Sequence, residues 1–321
     1  MDRIKVGLIG LGYWGPILLR NLVSQVNCDV IACDNQPGAL DKFLGLHPGL
    51  ELTSSASKVL QDKRVKAVII ATPPHTHYDL AMQALQNNKH VFVEKPLTMN
   101  SETSEKLVKE AKKRGSVLMV GHTFLFVPEV RLIKELIENG KIGKLLHIES
   151  NRKNLGKVQS SGVIWDLAPH DLAMLYYLTG SDRTDFIWPA SVCTTEHVSS
   201  GIADVASIFM KNKKTDLTYQ LNLSWLHPTK TRTTYFVGDK GMLIYDMMAK
   251  EKILFVDRHV SAHRDEFKHV DGSVTTVPVL DDEEPLYKEI KEFLIAVRTN
   301  NVDCLSNGEL GLDVVKTIES M

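Results

Sequence analysis

A glycine-rich turn near the N-terminus has the residue types and the spacing that bind a phosphate group. Gly10, Gly12 and Gly15 form a G-x-G-x-x-G pattern directly after a short apolar run and before a helical pattern. Glycines there permit a tight turn, close approach of the backbone to a pyrophosphate and close helix–strand packing. The helix N-terminus would offer unpaired N–H groups to the phosphates. The pattern predicts a dinucleotide site that includes Tyr13 and Trp14, the alternative being an ordinary glycine-rich turn.

An acidic residue follows the turn at the distance expected for contact with a ribose. Asp34 ends the second apolar run, about 20 residues after the turn. A carboxylate there can hold the ribose hydroxyls and would repel a 2′-phosphate, and residues 35–37 supply no Arg or Lys to bind one. We therefore expect NAD to be favoured over NADP. The alternative is that Asp34 only forms a turn.

Two later loops carry further candidate residues, because ligands of parallel sheets bind beyond the carboxyl ends of the strands. The fourth apolar run is followed by Thr72, Pro73, His75 and His77, and the fifth by Glu94 and Lys95. A lysine beside a nicotinamide and away from water could transfer a proton, although a solvated lysine in a turn fits equally well. The two histidines have no third ligand nearby, so we predict no metal site.

A second cluster combines a carboxylate with an imidazole. Asp166 and His170 are four residues apart and would share one face of a helix. Because Pro169 is tolerated only in the first turn of a helix, we expect this helix to begin near Asp166 and to end at Gly180. A carboxylate beside an imidazole orients it and raises its basicity, which suits acid/base catalysis. An N-cap Asp with a surface His, or part of a metal site, are the alternatives.

The elements that must position these residues differ between the two parts of the chain. Up to about residue 120, short apolar runs alternate with amphipathic helical patterns, as in a doubly wound parallel Rossmann sheet. After Gly121, patterns of period 2 predominate, most clearly over Asp216–Trp225, and predict a mainly antiparallel sheet in an α+β domain. We predict an α/β protein with a Rossmann domain over residues 1–122 and a second domain over residues 123–321, the last helix being able to pack back on the first.

The bulk composition excludes several classes of protein. Lys plus Arg number 38 and Asp plus Glu 39, giving a formal net charge of −1 over 321 residues. This balance gives no electrostatic attraction for nucleic acid or an anionic membrane. No run approaches the roughly 18 apolar residues of a membrane span, and the N-terminus shows no signal region. Together with four scattered cysteines that lack C-x-x-C spacing, this predicts a cytoplasmic protein.

In combination and in this order, the motifs resemble those of the Gfo/Idh/MocA family of NAD(P)-dependent oxidoreductases. The motifs are Gly10/Gly12/Gly15, Ala71-Thr72-Pro73, Glu94-Lys95-Pro96 and Asp166-x-x-x-His170. The resemblance covers nearly the whole chain. It implies a Rossmann domain joined to a domain with an open-faced, mainly antiparallel sheet, and hydride transfer between nicotinamide and a CH–OH group of a sugar.

The resemblance also implies roles for individual residues. Glu94 would position the cofactor ribose and nicotinamide, and Lys95 would contact the substrate hydroxyl, with a Lys95–Pro96 peptide that is often cis in this family. Asp166 and His170 would flank the reacting carbon. The proton acceptor would be His170 or Lys95, since family members differ in this respect.

Further segments look like the branch that contains UDP-N-acetylglucosaminuronate 3-dehydrogenases and related nucleotide-sugar enzymes. They are residues 152–157, 165–171, 224–228 and 237–241. Arg152, Asn154 and Lys157 would bind an anionic substrate such as a sugar carboxylate or diphosphate, unless they lie in an exposed loop. The alternative is a free-sugar or inositol dehydrogenase, and an NAD-bound regulator is a third hypothesis that Lys95 and His170 argue against. The resemblance also implies a homodimer or homotetramer formed through the second-domain sheet.

Overall fold

The computed structural model describes residues 3–24, 28–45, 49–156, 158–263 and 266–321. The chain divides into two compact units: unit 1 comprises residues 1–126 and 283–316, and unit 2 comprises residues 127–282 and 317–321. The boundary predicted at residue 122 assigns residues 283–316 to the second domain, whereas in the structure they pack within the first unit.

The helices and strands of the described residues are numbered in chain order. The helices are α1 (Gly15–Ser24), α2 (Ala56–Gln61), α3 (His77–Gln86), α4 (Ser101–Arg114), α5 (Pro128–Glu138), α6 (Gly162–Thr179), α7 (Pro285–Thr299) and α8 (Gly308–Glu319). The strands are β1 (Ile4–Ile9), β2 (Cys28–Cys33), β3 (Glu51–Thr53), β4 (Val65–Ile70), β5 (His90–Glu94), β6 (Leu118–Gly121), β7 (Leu145–Leu155), β8 (Ser191–Thr195), β9 (Val205–Lys211), β10 (Thr218–Ser224), β11 (Leu226–Gly238), β12 (Met242–Asp246), β13 (Ile253–Val256), β14 (His259–His263), β15 (Glu266–Val270) and β16 (Val274–Thr276). None of the described helices is long and apolar enough to cross a membrane.

Unit 1 contains the predicted Rossmann sheet. Its six strands are all parallel and lie in the order β3-β2-β1-β4-β5-β6. Strand β4 shows why its sequence is continuously apolar, because Val68, Ile69 and Ile70 are all inaccessible to solvent although they alternate between the two faces. Because the strands are parallel, the carboxyl ends of β1, β2, β4 and β5 lie at one edge of the sheet. The candidate residues of the first part of the chain lie at these strand ends.

Helix α4 shows how local sequence sets a boundary. The side chain of Asn100 accepts a hydrogen bond of 2.9 Å from the backbone N–H of Thr103, and Gly115 follows the helix with a left-handed φ of 59°. An N-cap side chain and a C-terminal glycine satisfy the backbone groups that a helix leaves unpaired at its ends. Helix α4 accordingly begins at Ser101 and ends at Arg114.

Unit 2 is built on an eight-stranded sheet in the order β16-β13-β12-β11-β7-β10-β9-β8. All neighbours are antiparallel except β10 and β7, which are parallel. On β10, Tyr219, Leu221 and Leu223 are buried on the face that carries α6, while the residues between them lie half-exposed on the opposite face. The predicted mainly antiparallel sheet is therefore confirmed, and β10 has one buried apolar face and one half-exposed polar face.

The start of helix α6 corrects the sequence-based prediction. The helix begins at Gly162 rather than near Asp166, so that Pro169 lies in its interior. Proline at this position leaves the carbonyl of Trp165 without its usual N–H donor four residues later. The tertiary setting compensates, since α6 is buried along most of its length and Pro169 is itself buried.

Candidate active site

In unit 1 the glycine-rich turn joins β1 to α1 beside the loop that follows β4. A Cβ at Gly10 would lie 2.5 Å from the carbonyl oxygen of Ala71, and one at Gly15 would overlap the carbonyl of Gly10. These two glycines allow the close packing of turn, strand and helix. A Cβ at Gly12, in contrast, would have no described heavy atom within 4 Å, and the neighbouring Tyr13 is 91% exposed. The middle of the turn is thus open to a ligand.

Asp34 lies at the carboxyl end of β2, next to the same turn. Its Oδ2 accepts a hydrogen bond of 2.7 Å from the backbone N–H of Leu11, and its Oδ1 accepts one of 2.8 Å from the N–H of Gln36. The carboxylate therefore fixes the phosphate turn and its own loop at the same time. Each oxygen keeps acceptor capacity for a hydroxyl group, because a carboxylate offers about four lone-pair sites.

The loop after β4 contains one buried and several more accessible candidates. Thr72 is half-buried, and its hydroxyl lies 2.6 Å from that of Thr76, while Pro73 and His75 are exposed. His77 is buried, with Nε2 2.9 Å from the carbonyl of Thr72 and Nδ1 2.8 Å from the carbonyl of Pro96. Burial lowers the pKa of His77. His77 therefore lies between the loops that follow β4 and β5 and contacts the backbone of both.

Glu94 and Lys95 stand at the carboxyl end of β5, and the Lys95–Pro96 peptide is cis. The absence of a Cβ at Gly121 makes room for the Glu94 carboxyl group, which would otherwise meet that atom at 2.8 Å. Oε1 of Glu94 is buried and has no hydrogen-bond partner among the described residues. Burial raises the pKa of Glu94 to about 7, against the lowering effects of the Lys95 charge and the Trp14 indole N–H.

His122 follows β6 and lies close enough to Lys95 for the lysine charge to affect its pKa. The side chain is buried, and burial together with Lys95 lowers the pKa of His122 to about 3. Nδ1 lies 3.0 Å from the hydroxyl of Ser306, which donates to the carbonyl of Val120 at 2.7 Å. The hydroxyl hydrogen of Ser306 is donated to Val120, so the Ser306 oxygen can only accept from His122. Nδ1 of the neutral imidazole therefore carries the hydrogen, and Nε2 carries none.

Glu289 on α7 is a buried carboxyl group that the sequence analysis missed. The side chain is inaccessible to solvent; Oε2 accepts a hydrogen bond of 2.6 Å from the hydroxyl of Thr123, and Oε1 has no partner among the described residues. Burial and the nearby Glu94 raise its pKa well above the usual value. The signal was present in the sequence, because Glu289 occupies an apolar-stripe position between Leu286 and Phe293 of an amphipathic helix.

In unit 2, helix α6 carries Asp166 and His170 on one face, as predicted from their spacing. Oδ2 of Asp166 accepts a hydrogen bond of 3.1 Å from the indole nitrogen of Trp225, a fully buried residue between β10 and β11. His170 is half-buried one turn further along the helix. The structure therefore gives the carboxylate a fixed position within its own unit, through a residue that sequence analysis did not connect to it.

Two of the three residues predicted to bind an anionic substrate lie on β7, and the third, Lys157, lies outside the described residues. Arg152 is buried and forms an ion pair with Asp171 of α6. A guanidinium enclosed in this way neutralises a carboxylate inside the unit, which favours a structural role over the predicted contact with substrate. Asn154 is half-buried, and its Oδ1 accepts a hydrogen bond of 2.6 Å from Arg232, a second residue that the sequence analysis missed.

Comparison with known proteins matches both parts of the chain to the same family. Residues 4–122 match the model of an oxidoreductase family with an NAD-binding Rossmann fold, and residues 130–244 match the GFO/IDH/MocA C-terminal domain. A scyllo-inositol 2-dehydrogenase (NAD(+)) from Bacillus subtilis is 31% identical over 191 residues, which is 57% of this chain and 56% of that protein. The chain thus aligns with little more than half the length of this curated relative.

Solved structures resemble the chain over nearly its whole length. A crystal structure from Magnetospirillum magnetotacticum MS-1, named only as an oxidoreductase, is 28% identical, with a TM-score of 0.82 and 99% of each chain covered. The UDP-N-acetylglucosamine 3-dehydrogenase from Acidithiobacillus ferrooxidans is 22% identical, with a TM-score of 0.78, 99% of this chain and 96% of that chain covered. At that identity the second likeness concerns the fold alone.

Proposed function

Since two family models together match most of its length, the protein belongs to the Gfo/Idh/MocA family of oxidoreductases. We propose that it is an NAD-dependent dehydrogenase that acts on a ring hydroxyl of a sugar, with nucleotide sugars as the first candidate substrates. The observation that carries the proposal is the arrangement at one edge of the unit 1 sheet. There the open glycine turn, the Asp34 carboxylate and the Glu94–Lys95 pair follow β1, β2 and β5.

The residues at this edge fit a dinucleotide. The N–H groups at the start of α1 would hold the pyrophosphate above Gly12, where the turn is open, and no acidic side chain lies in the first turn of that helix. Asp34 would accept hydrogen bonds from the ribose hydroxyls. Glu94, Thr72 and the loops that follow β4 and β5 would hold the nicotinamide half of the cofactor. The C4 atom of the nicotinamide takes up or releases the hydride when the cofactor is bound.

The proton that accompanies the hydride would be handled by Lys95 or His170. During oxidation the substrate hydroxyl loses its proton to one of these side chains as its carbon loses a hydride, and during reduction both transfers reverse. Asp166 would orient the imidazole one turn along α6, and Trp225 holds Asp166 in turn.

Two substrate classes are in competition. The segments typical of the nucleotide-sugar branch favour a nucleotide sugar, whereas the sequence identity of 31% to a scyllo-inositol 2-dehydrogenase favours a cyclitol. A panel of nucleotide sugars, free sugars and inositols, followed by nicotinamide absorbance with NAD and with NADP, separates the two. Turnover of inositols with none of UDP-sugars would reject the first class.

The acid/base assignment is tested with Lys95→Ala and His170→Ala. Each should lower kcat by about 100-fold to 10,000-fold, while the Kd for NAD measured by titration stays within a few-fold of the wild type. The exposed Lys109→Ala and His269→Ala are matched controls and should retain full turnover. Near-normal kcat in both test variants would remove the proposed acid/base centre.

We also propose that the protein forms a homo-oligomer through the open face of the unit 2 sheet. Half-exposed apolar side chains lie there on three adjacent strands, namely Tyr235, Val237, Ile244 and Leu254. Pairing of this face in a second copy would remove apolar surface from water. Light scattering should give a multiple of the 36.0 kDa chain mass, and Ile244→Lys should shift it towards the monomer.

A further inference from the structure

Arg232 on β11 is a half-buried guanidinium whose hydrogen-bond acceptors among the described residues are all neutral. Its Nη2 donates to Oδ1 of Asn154 at 2.6 Å, and its Nη1 donates to the carbonyls of Lys153 at 3.2 Å and Thr231 at 3.0 Å. Among the described residues no carboxylate lies within ion-pair distance of it, and none accepts a hydrogen bond from its Nε. The side chain is therefore fixed in position without being neutralised.

The neighbouring arginine on β7 shows the opposite arrangement. Arg152 stands directly across the strand pair from Arg232, and it is buried in an ion pair with Asp171. Removing a charge from water without a counter-ion is costly. Burial and the Arg152 charge lower the pKa of Arg232 to about 10, with Asp171 and Asp166 opposing them, so the guanidinium stays charged at neutral pH.

An irregularity in the sheet builds this position. Between the pairs Leu226–Leu155 and Thr231–Lys153, residues 227–230 of β11 stand opposite the single residue Asn154 of β7. Bulges of this kind redirect side chains and occur often beside active sites. Here the bulge lies where Asn154 and Arg232 meet.

The remaining donors of Arg232 suit an anion. A guanidinium has five N–H groups, and three of them are used by Asn154, Lys153 and Thr231. The Nε–H and one further N–H have no acceptor among the residues that the structure describes, and arginine typically binds carboxylate or phosphate oxygens with two parallel hydrogen bonds. The carboxylate of Asp166, the α6 residue of the proposed acid/base centre, lies near enough to Arg232 for its charge to oppose the lowering of the Arg232 pKa, so the two groups are close to each other within unit 2.

We propose that Arg232, positioned by Asn154, binds an anionic group of the substrate and so makes the enzyme prefer anionic sugars to neutral cyclitols. The inference rests on the proposed dehydrogenase function and adds a substrate class to it. A hexuronate carboxylate and a nucleotide diphosphate share the required chemistry of anionic oxygens.

The test is direct titration of the NAD-loaded protein with three probes: D-glucuronate, UDP-glucose and myo-inositol. Arg232→Gln should weaken binding of at least one anionic probe by about 10-fold to 150-fold, the range for a hydrogen bond to a charged group. Loss confined to D-glucuronate would assign the carboxylate, and loss with UDP-glucose would assign the diphosphate. The Kd for NAD and the affinity for myo-inositol should stay unchanged.

Two further variants separate recognition from folding. Arg232→Lys keeps the charge but loses the planar pair of donors, so its affinity for the anionic probe should fall between those of the wild type and Arg232→Gln. If Arg232→Gln does not fold, the test rests on Arg232→Lys alone. An affinity of Arg232→Lys for the anionic probe equal to that of the wild type would then overturn the inference. Arg258→Gln is the matched control, because Arg258 is an exposed arginine of the same unit that donates to a backbone carbonyl.

The outcomes also distinguish this inference from the proposed function. Turnover of neutral sugars by a wild-type protein that binds neither anionic probe would overturn the role of Arg232 and leave the dehydrogenase standing. Arg232-dependent binding of an anionic probe without turnover of any sugar would do the reverse. Equal weakening of all three probes would indicate a structural role and overturn the inference.

Discussion

The indole nitrogen of Trp225 donates a hydrogen bond of 3.1 Å to Oδ2 of Asp166 and so connects the end of strand β10 to helix α6. The backbone of Trp225 is fixed as well, because its carbonyl accepts from the N–H of Gly156 at 2.9 Å. The indole is fully buried. The carboxylate proposed to orient His170 therefore depends on a tryptophan 59 positions further along the chain.

Replacing this tryptophan should impair catalysis more than binding of the cofactor. In Trp225→Phe a smaller aromatic ring remains but the donor to Asp166 is lost, so we expect kcat to fall about 10-fold and stability by about 1–3 kcal/mol, part of it from the packing lost at this fully buried site. The Kd for NAD should not change. Steady-state kinetics, NAD titration and urea unfolding measure the three quantities. In Trp188→Phe, the control, the lost N–H bonds a backbone carbonyl instead, and kcat should be normal.

Gly156 provides an independent way to move the same ring. A Cβ at this position would overlap Cδ1 of Trp225, so Gly156→Ala should displace the indole and reduce kcat. The overpacking should also lower the free energy of unfolding by about 1–3 kcal/mol. If both variants act through the Trp225–Asp166 contact, their effects on kcat should not add in the double variant. Fully additive losses would contradict a shared route.

The sequence predicted the elements of unit 1 well, because strands buried on both faces leave continuous apolar runs and the helices between them carry end signals. Asn100 and Gly115, for example, set both ends of α4. It failed where tertiary contacts override local rules: Pro169 lies inside α6, and Arg152 is buried against Asp171. The position of Glu289 on the apolar stripe of α7 marked it as a buried polar residue, but its partner Thr123 lies 166 residues away, and Arg232 lies 78 residues from its partner Asn154. Local periodicity can mark a buried position, but it carries no information about the partner found there.

Asp34 should control both cofactor affinity and cofactor choice. Asp34→Ala removes an acceptor that the backbone N–H groups of Leu11 and Gln36 both use, as well as the charge that repels a 2′-phosphate. We expect the Kd for NAD to rise about 10-fold or more, given hydrogen bonds to a charged group, and the preference for NAD over NADP to narrow. Fluorescence titrations with both nucleotides measure the ratio of the Kd for NADP to the Kd for NAD. Asp41→Ala, an exposed change in the same region, should leave it unaltered.

The buried pair of Arg152 and Asp171 should govern stability rather than substrate affinity. Asp171→Asn leaves the arginine without its counter-charge, so we expect a loss of about 3–5 kcal/mol in urea unfolding. The double variant Arg152→Met/Asp171→Leu removes both charges and should recover much of that loss. If the double variant folds, its KM should match the wild type. A KM raised by an order of magnitude would restore Arg152 to the substrate site.

Glu289 should make unit 1 less stable as pH rises. Burial and the neighbouring Glu94 raise the pKa of Glu289 in the folded protein, so the folded state keeps a proton that the unfolded chain releases above its ordinary pKa near 4.3. Stability contributed by that proton is present at low pH and declines through the range in which only the unfolded chain ionises. Glu94, with a pKa raised to about 7, adds a decline of the same sign between about pH 4.3 and 7.

Glu289→Gln tests this balance, because the amide keeps an oxygen for the Thr123 hydroxyl and cannot ionise. In urea unfolding without NAD, the variant and the wild type should be nearly equal at pH 4.5, and the variant should become the more stable protein towards pH 8.5. Glu102→Gln is the control: Lys106 lowers the pKa of that exposed carboxyl group, so Glu102 is ionised in both the folded and the unfolded chain over this range, and the difference in stability between this variant and the wild type should stay nearly constant. A constant difference between Glu289→Gln and the wild type across this range would mean that Glu289 does not gain its proton on folding. The buried carboxyl group beside Glu94 would then have to be ionised in the folded protein, with a counter-charge that offsets its burial.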